Sequence, residues 1–167
     1  NTLTRQKLTA EDCYLATIPL FSASGTAYTL SSFFAGGKLV LMDRFSAERF
    51  CDLVGEEKVT GSFFLDPIVQ DLQAYPRIGQ RDLSSLRVGV GAPLGERLFR
   101  WLAVDCGIRG VTGVYGLSET SNAVTRGAPD EPLETRITTC GRPVPGVELR
   151  IAHVDTGALL GAGDAGE

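Results

Sequence analysis

The feature that most constrains this 167-residue chain is the regular alternation of short apolar runs with amphipathic stretches. Apolar runs at residues 14–18, 38–42, 59–65, 86–90 and 108–115 read as strands. The segments between them read as helices. Residues 24–35 form an apolar helix expected to pack on most sides and to end at Gly36-Gly37. Ser46 is an N-cap for a helix with Phe50, Leu53 and Val54 at helical spacing. Asp66-Pro67 opens another, with proline in its first turn and Ile68, Val69 and Leu72 turned inward. Residues 95–104 make a fourth helix that buries Leu98 and Trp101. This rhythm predicts an α/β fold: a parallel sheet flanked by helices.

The rhythm stops at Gly127-Ala-Pro-Asp-Glu-Pro132, a polar connection containing prolines. Beyond it, residues 137–140 and the alternating stretch 147–151 predict short antiparallel strands, with turns at Pro145-Gly146 and Thr156-Gly157. The expected division is an α/β subdomain over 1–127, then a linker and the start of a small antiparallel β subdomain over 128–167. The junction is expected near 127–136.

Charge and cysteine usage remove several function classes. Sixteen Lys and Arg stand against 20 Asp and Glu, a net charge of −4, so no basic field is available for a nucleic-acid backbone. No apolar run approaches the roughly 20 residues that span a bilayer, and no secretory signal is visible. Four cysteines (Cys13, Cys51, Cys106, Cys140) lie far apart with no Cys-x-x-Cys pair, which argues against structural zinc and a disulfide framework. Reduced thiols in a cytoplasmic protein are the expectation.

Two strand ends carry chemistry. Arg87-Val-Gly-Val-Gly-Ala-Pro-Leu-Gly95 follows a strand and opens a helix, but the third glycine comes one position late for a dinucleotide fingerprint and Pro93 sits inside the turn. A glycine turn at a strand end fits it better. Gly116-Leu-Ser118-Glu119 lacks the second glycine of a hydrolase elbow, since Thr120 stands there. The single histidine, His153, lies in the antiparallel tail as an exposed strand residue, away from any base role. Tyr115-Gly116-Leu117-Ser118-Glu119 has two readings: a solvated turn, or a ligand loop. A ligand loop would use the tyrosine to stack on a planar base, the hydroxyl to meet a phosphate oxygen and the carboxylate to hold Mg²⁺.

Taken with Ile18-Pro-Leu-Phe21, Gly36-Gly37, Asp82-Leu-Ser-Ser-Leu-Arg87, Gly91-Ala-Pro-Leu94, Thr139-Cys-Gly-Arg-Pro143, Pro145-Gly-Val-Glu148 and Asp155-Thr-Gly157, this loop resembles the adenylate-forming acyl-CoA synthetase superfamily. That superfamily includes 4-coumarate CoA ligases, luciferases and peptide-synthetase adenylation domains. The resemblance implies a two-step reaction: a small carboxylic acid attacks ATP to give an acyl-adenylate, and a thiol, that of coenzyme A, then displaces AMP. By motif, the backbone at Gly91, Ala92 and Pro93 forms one wall of the adenine slot and Tyr115 the other, with Gly116 and Leu117 beside it. Ser118 falls where the family contacts phosphate and Glu119 where it binds Mg²⁺; these two are the implied catalytic residues.

Departures from the family pattern also carry expectations. Ser22 stands where the family often has histidine, at the acyl and thiol junction. Gly113 stands where it commonly has Asn, Gln or Glu near the adenine edge. Val90 and Val114 replace frequent glycines beside the acyl pocket, and their bulk is expected to favour a small or flat acid over a long unbranched chain. The resemblance further implies a phosphate loop just before residue 1, and a ribose-binding Thr-Gly-Asp and a lysine-bearing domain after residue 167. The chain is therefore expected to be an internal fragment of an acid–thiol ligase, inactive by itself. The alternatives are an adenylation domain loading a carrier-protein thiol, or a truncated module that holds nucleotide without turnover.

Overall fold

The computed structural model describes residues 2–167. A short helix α1 (Thr2–Gln6) leads into β1 (Cys13–Ala16), α2 (Ala23–Ala35), β2 (Lys38–Leu41), α3 (Ala47–Glu57), β3 (Gly61–Phe64) and α4 (Asp66–Ala74). Next come β4 (Val88–Gly91), α5 (Glu96–Arg100), β5 (Gly110–Tyr115), β6 (Thr125–Arg126), α6 (Leu133–Thr138) and β7 (Arg142–Pro143). The seven strands form one sheet in the order β2-β1-β3-β4-β5-β6-β7. The first five are mutually parallel, and β6 and β7 add antiparallel at the β5 edge. Winding reverses at β1, which has β2 on one side and β3 on the other; such a switch opens a crevice beyond the carboxyl ends of the strands.

Local chemistry accounts for the elements. Ser46 caps α3 by accepting from Arg49 N, and Ser22 caps α2 by accepting from Gly25 N. Pro67 lies in the first turn of α4, where its missing N–H costs nothing. Phe50, Val54, Val69, Leu72, Leu98, Phe99 and Leu102 bury against one face of the sheet with Leu15, Phe64 and Val111. The other face carries a smaller aromatic layer in which Tyr28 of α2 stacks on Tyr14 at 4.9 Å and meets Phe63 edge-on at 5.4 Å.

The structure corrects several expectations. Helix α2 packs along one stripe only, through Gly25, Tyr28 and Ser32; Leu30, Phe33 and Phe34 face outward. The predicted helix at 95–104 is α-helical only to Arg100 and continues as a wider π-turn at Trp101–Asp105, closed by Cys106 N donating to the Trp101 carbonyl. That widening turns Leu102 inward and leaves Trp101 half-buried, whereas Leu98 is buried as expected. Residues 137–140 are not a strand: α6 runs to Thr138, seated by the buried Arg136, which donates to the carbonyls of Val111 and Glu131. Residues 147–151 make no ladder either, because their apolar alternation has no partner strand beside it. Antiparallel contact in the tail starts only at Ile151, whose carbonyl accepts from Leu160 N at 2.9 Å, and continues at Ala152 with Leu159 and with the Glu167 backbone. His153 is exposed there.

At the amino ends of the strands Asp12 gathers the fold. Its carboxylate accepts from Thr60 Oγ1 (2.6 Å), Thr9 N (2.8 Å) and Arg87 Nε (2.9 Å), and pairs with Arg87 Nη2. Its carbonyl accepts from Lys38 N at 2.8 Å. Burial pushes the Asp12 pKa up, but the hydrogen bonds from Arg87, Thr60 and Thr9 with the Arg87 charge outweigh it, and the net shift is downward. A folded-state pKa below the unfolded value stabilises the fold at pH values above about 4, and that contribution is lost as pH falls further. In urea titrations Asp12→Asn is expected to lose about 1–3 kcal/mol at pH 7 and to show a weaker decline of stability between pH 5 and pH 2. An unchanged pH slope in the variant would rule the network out as the acid-sensitive element.

Candidate functional site

The carboxyl ends of the strands surround a cavity of about 670 Å³. Four of the parallel strands, β1, β3, β4 and β5, end there. After β1 come Ile18 and Pro19, after β3 Leu65, after β4 the Gly91-Ala92-Pro93-Leu94 turn, and after β5 Tyr115-Gly116. The β4 turn is tied back on both sides: Ala92 N donates to the Phe64 carbonyl at 3.2 Å and Gly95 N to Asp66 Oδ1 at 2.9 Å. Tyr115 closes β5 with Val124 N donating to its carbonyl at 2.8 Å, and its ring stands half in solvent at 49% exposure. That leaves an aromatic face free to take a planar group.

The chain reverses tightly after Tyr115. A Cβ on Gly116 would lie 2.2 Å from the carbonyl oxygen of Asn122, so only glycine fits. A 3₁₀ turn at Ser118–Thr120 follows, held by Leu117 N donating to Thr120 Oγ1 at 2.9 Å. Ser118 and Glu119 are exposed on this turn. Among the described residues Glu119 has no ion pair. Gly113 backs onto the Thr139 carbonyl, 2.9 Å from where a Cβ would be, so the strand has no room for the side chain common there in the resembled family.

Of the residues singled out in the sequence, Ser22, Gly91, Ala92, Pro93, Val114, Tyr115 and Gly116 line the one cavity. Val90 does not line it; fully buried, it packs beneath with Tyr14, Tyr28, Phe63 and Val114. Leu117, Ser118 and Glu119 lie outside the lining, on the turn that follows it. The sequence reading missed Ser24 and Asn122, which also line the cavity and are joined by a hydrogen bond from Ser24 Oγ to Asn122 Oδ1 at 2.5 Å. Asn122 ends the same loop as Tyr115, and an asparagine three residues past an exposed carboxylate was the available signal. No charged side chain is among the residues lining the cavity. No group of three His, Cys, Asp or Glu able to cage a metal occurs among the described residues. Burial pushes the Cys51 thiol up to about 11 and Cys106 up to about 12, which leaves both inert at neutral pH.

The family model described as AMP-binding enzyme matches residues 1–167. Among curated proteins, the chain is 30% identical to 4-coumarate–CoA ligase 3 of Oryza sativa subsp. japonica, over 94% of this chain and 29% of that protein. It is 31% identical to 4-coumarate-CoA ligase 1 of Narcissus pseudonarcissus, over 94% of this chain and 30% of that protein. The chain thus spans about three-tenths of the length of the relatives it matches. Among solved structures, the amide bond synthetase McbA of Marinactinospora thermotolerans superimposes with a TM-score of 0.84 at 26% identity, over 99% of this chain and 34% of that one. ATP-bound MatB of Rhodopseudomonas palustris shares the fold with a TM-score of 0.86 at 23% identity, over 98% of this chain and 32% of that one.

Gly116 offers a direct test of the cavity wall. Gly116→Ala forces a methyl group into the Asn122 backbone and is expected to cost about 1–3 kcal/mol of stability, read as a lowered urea midpoint with unchanged slope. A wild-type midpoint would mean that the Tyr115–Asn122 reversal is not packed as described.

Proposed function

We propose, from the premise that this chain belongs to the AMP-binding enzyme family, that the whole protein is an acid–thiol ligase. It would activate a small carboxylic acid with ATP and pass the acyl group to coenzyme A. The observation that carries this reading is the pairing of the Gly91-Ala92-Pro93 turn and the Tyr115-Gly116 segment around one uncharged cavity at the strand ends. The names of the curated relatives, 4-coumarate–CoA ligases, favour coenzyme A as acceptor.

In the first step an oxygen of the carboxylate bonds to the α-phosphorus of ATP, the bond from that phosphorus to the bridging oxygen breaks, and pyrophosphate leaves. In the second, the thiol sulfur attacks the acyl carbon, the acyl–phosphate bond breaks, AMP leaves with the bonding pair, and the thiol proton passes to solvent. The backbone of Gly91, Ala92 and Pro93 and the ring of Tyr115 hold the adenine between them, with Gly116 and Leu117 along its edge. Ser118 Oγ donates to phosphate. Glu119, exposed and without an ion pair, suits a Mg²⁺ held chiefly by phosphate oxygens and water, which would neutralise phosphate charge. Ser22 and Val114 border the acid, and Val90 supports Val114 from beneath, which favours a small or flat acyl group.

Residues 1–127 are the α/β unit of this scheme and 128–167 its passage into a β-rich unit. No helix of the described residues is long and apolar enough to cross a membrane. The cytoplasm, where thiols stay reduced, is the compartment proposed.

Acid-dependent exchange of labelled pyrophosphate into ATP tests the reading. The whole protein is expected to exchange with at least one member of a panel of small acids, and residues 1–167 alone with none. Glu119→Ala should lower the exchange rate on the order of 100-fold, and Tyr115→Ala should raise the KM for ATP about 10- to 100-fold. Absence of exchange with every acid would overturn the proposal.

A further inference from the structure

A cavity can be lined by polar side chains and still offer a ligand few hydrogen bonds, and this one is of that kind. Ser22 accepts from Gly25 N at 3.0 Å and gives its only proton to the Pro19 carbonyl at 2.7 Å. Ser24 Oγ donates to Asn122 Oδ1 at 2.5 Å, and Asn122 Nδ2 is shut off from solvent. With the amide turned over, its two ends would exchange places and the cavity would gain nothing. Tyr115 and Cys140 complete the polar lining. A phenol hydroxyl lies in the plane of its ring and points past a base stacked on the ring face, and a thiol is a weak donor and a weak acceptor.

The strand that carries Tyr115 adds no polar side chain beside the ring. Side chains alternate along β5, so one at position 113 would stand on the same face as Tyr115. That position is glycine, and the Thr139 carbonyl oxygen lies 2.9 Å from where a Cβ would be, which leaves no room for a larger residue. Gly116 and Leu117, just past the ring, have no hydrogen-bonding group on their side chains. Gly91, Ala92 and Pro93 supply backbone and hydrocarbon only. The slot is therefore made of faces. Stacking on an aromatic face tolerates every base, because each has a π-face of its own. Edge readout does not, since adenine presents an amino group where guanine and hypoxanthine present a carbonyl oxygen. A site built to pair one such edge rejects the other by about 10⁴-fold or more.

Resting on the reading that Gly91–Pro93 and Tyr115 sandwich the base, we infer that the nucleotide is recognised by stacking and shape rather than by its hydrogen-bonding edge. The whole protein then accepts purine triphosphates as a class, with guanosine and inosine triphosphates serving alongside ATP. Gly113 is the residue that sets this tolerance, because the approach of the Thr139 carbonyl keeps any edge-reading side chain off that position.

The test is exchange of labelled pyrophosphate into a panel of triphosphates by the whole protein, with an acid that it accepts. ATP, inosine triphosphate, guanosine triphosphate and purine riboside triphosphate, which lacks the amino group, are expected to agree within about 10-fold in kcat/KM. Tyr115→Ala should lower kcat/KM about 10- to 100-fold for every one of them. Tyr115→Phe, which keeps the face and loses the hydroxyl, should leave their ratios unchanged. A preference for ATP beyond about 10-fold would overturn the inference, since the amino edge would then be read, and would leave the ligase reading intact. So would ratios that shift in Tyr115→Phe. Absence of exchange with every nucleotide and every acid would instead sink the reading beneath it.

Discussion

One buried carboxylate organises the amino ends of the sheet. Asp12 accepts from Thr9 N in the turn after α1, from Thr60 just before β3, and from Arg87 just before β4, while its own carbonyl accepts from Lys38 at the start of β2. Arg87 extends the reach, its carbonyl accepting from Gly110 N at the start of β5. One residue and its partner therefore set the starting level of five parallel strands. With that end closed, the strands differ only in where they stop, and the differences among their carboxyl ends become the shape of the cavity.

Much of this was readable because it follows from burial. Apolar runs in a chain of ordinary polarity must be covered, and strands covered on both faces by helices are the economical way to do so; β1 to β5 and α2 to α5 all appear where the runs lie. Caps were readable for the same local reason, as Ser46 and Pro67 act within their own turns. Apart from the π-turn at Trp101–Asp105, the failures are non-local. The alternation at 147–151 predicts a strand only if another strand lies beside it, and none does. Ile137 and Thr138 look strand-like in isolation, yet Arg136 anchors that stretch as a helix by reaching the Val111 carbonyl 25 residues back. Helix α2 looks buried by composition, but only one stripe of it meets the sheet.

The candidate site divides along the same line. The glycine, proline and tyrosine positions were legible because close approach and stacking are properties of residue type. Asn122 was not, since its place in the lining depends on Ser24, 98 residues away in sequence. Val90 shows the reverse error: adjacent in sequence to the β4 turn, it alternates to the inner face and supports the wall rather than forming it.

Charge is distributed in a way that bears on the proposed ligase reading. The Asp12–Arg87 ion pair sits at one end of the sheet and the cavity at the other has no charged lining, so on the proposed reading the lining suits a base and an acyl group but has little with which to balance a triphosphate. Glu119 adds negative charge, and favours phosphate only when a cation stands between them. On the proposed reading, positive groups for the phosphates have to come from outside this lining. That requirement separates binding from chemistry. The uncharged lining would then choose the substrates, while the charge that drives displacement at phosphorus would come from outside it. Selection by the lining and turnover by phosphate-binding groups would consequently be separable properties of one site, open to change independently.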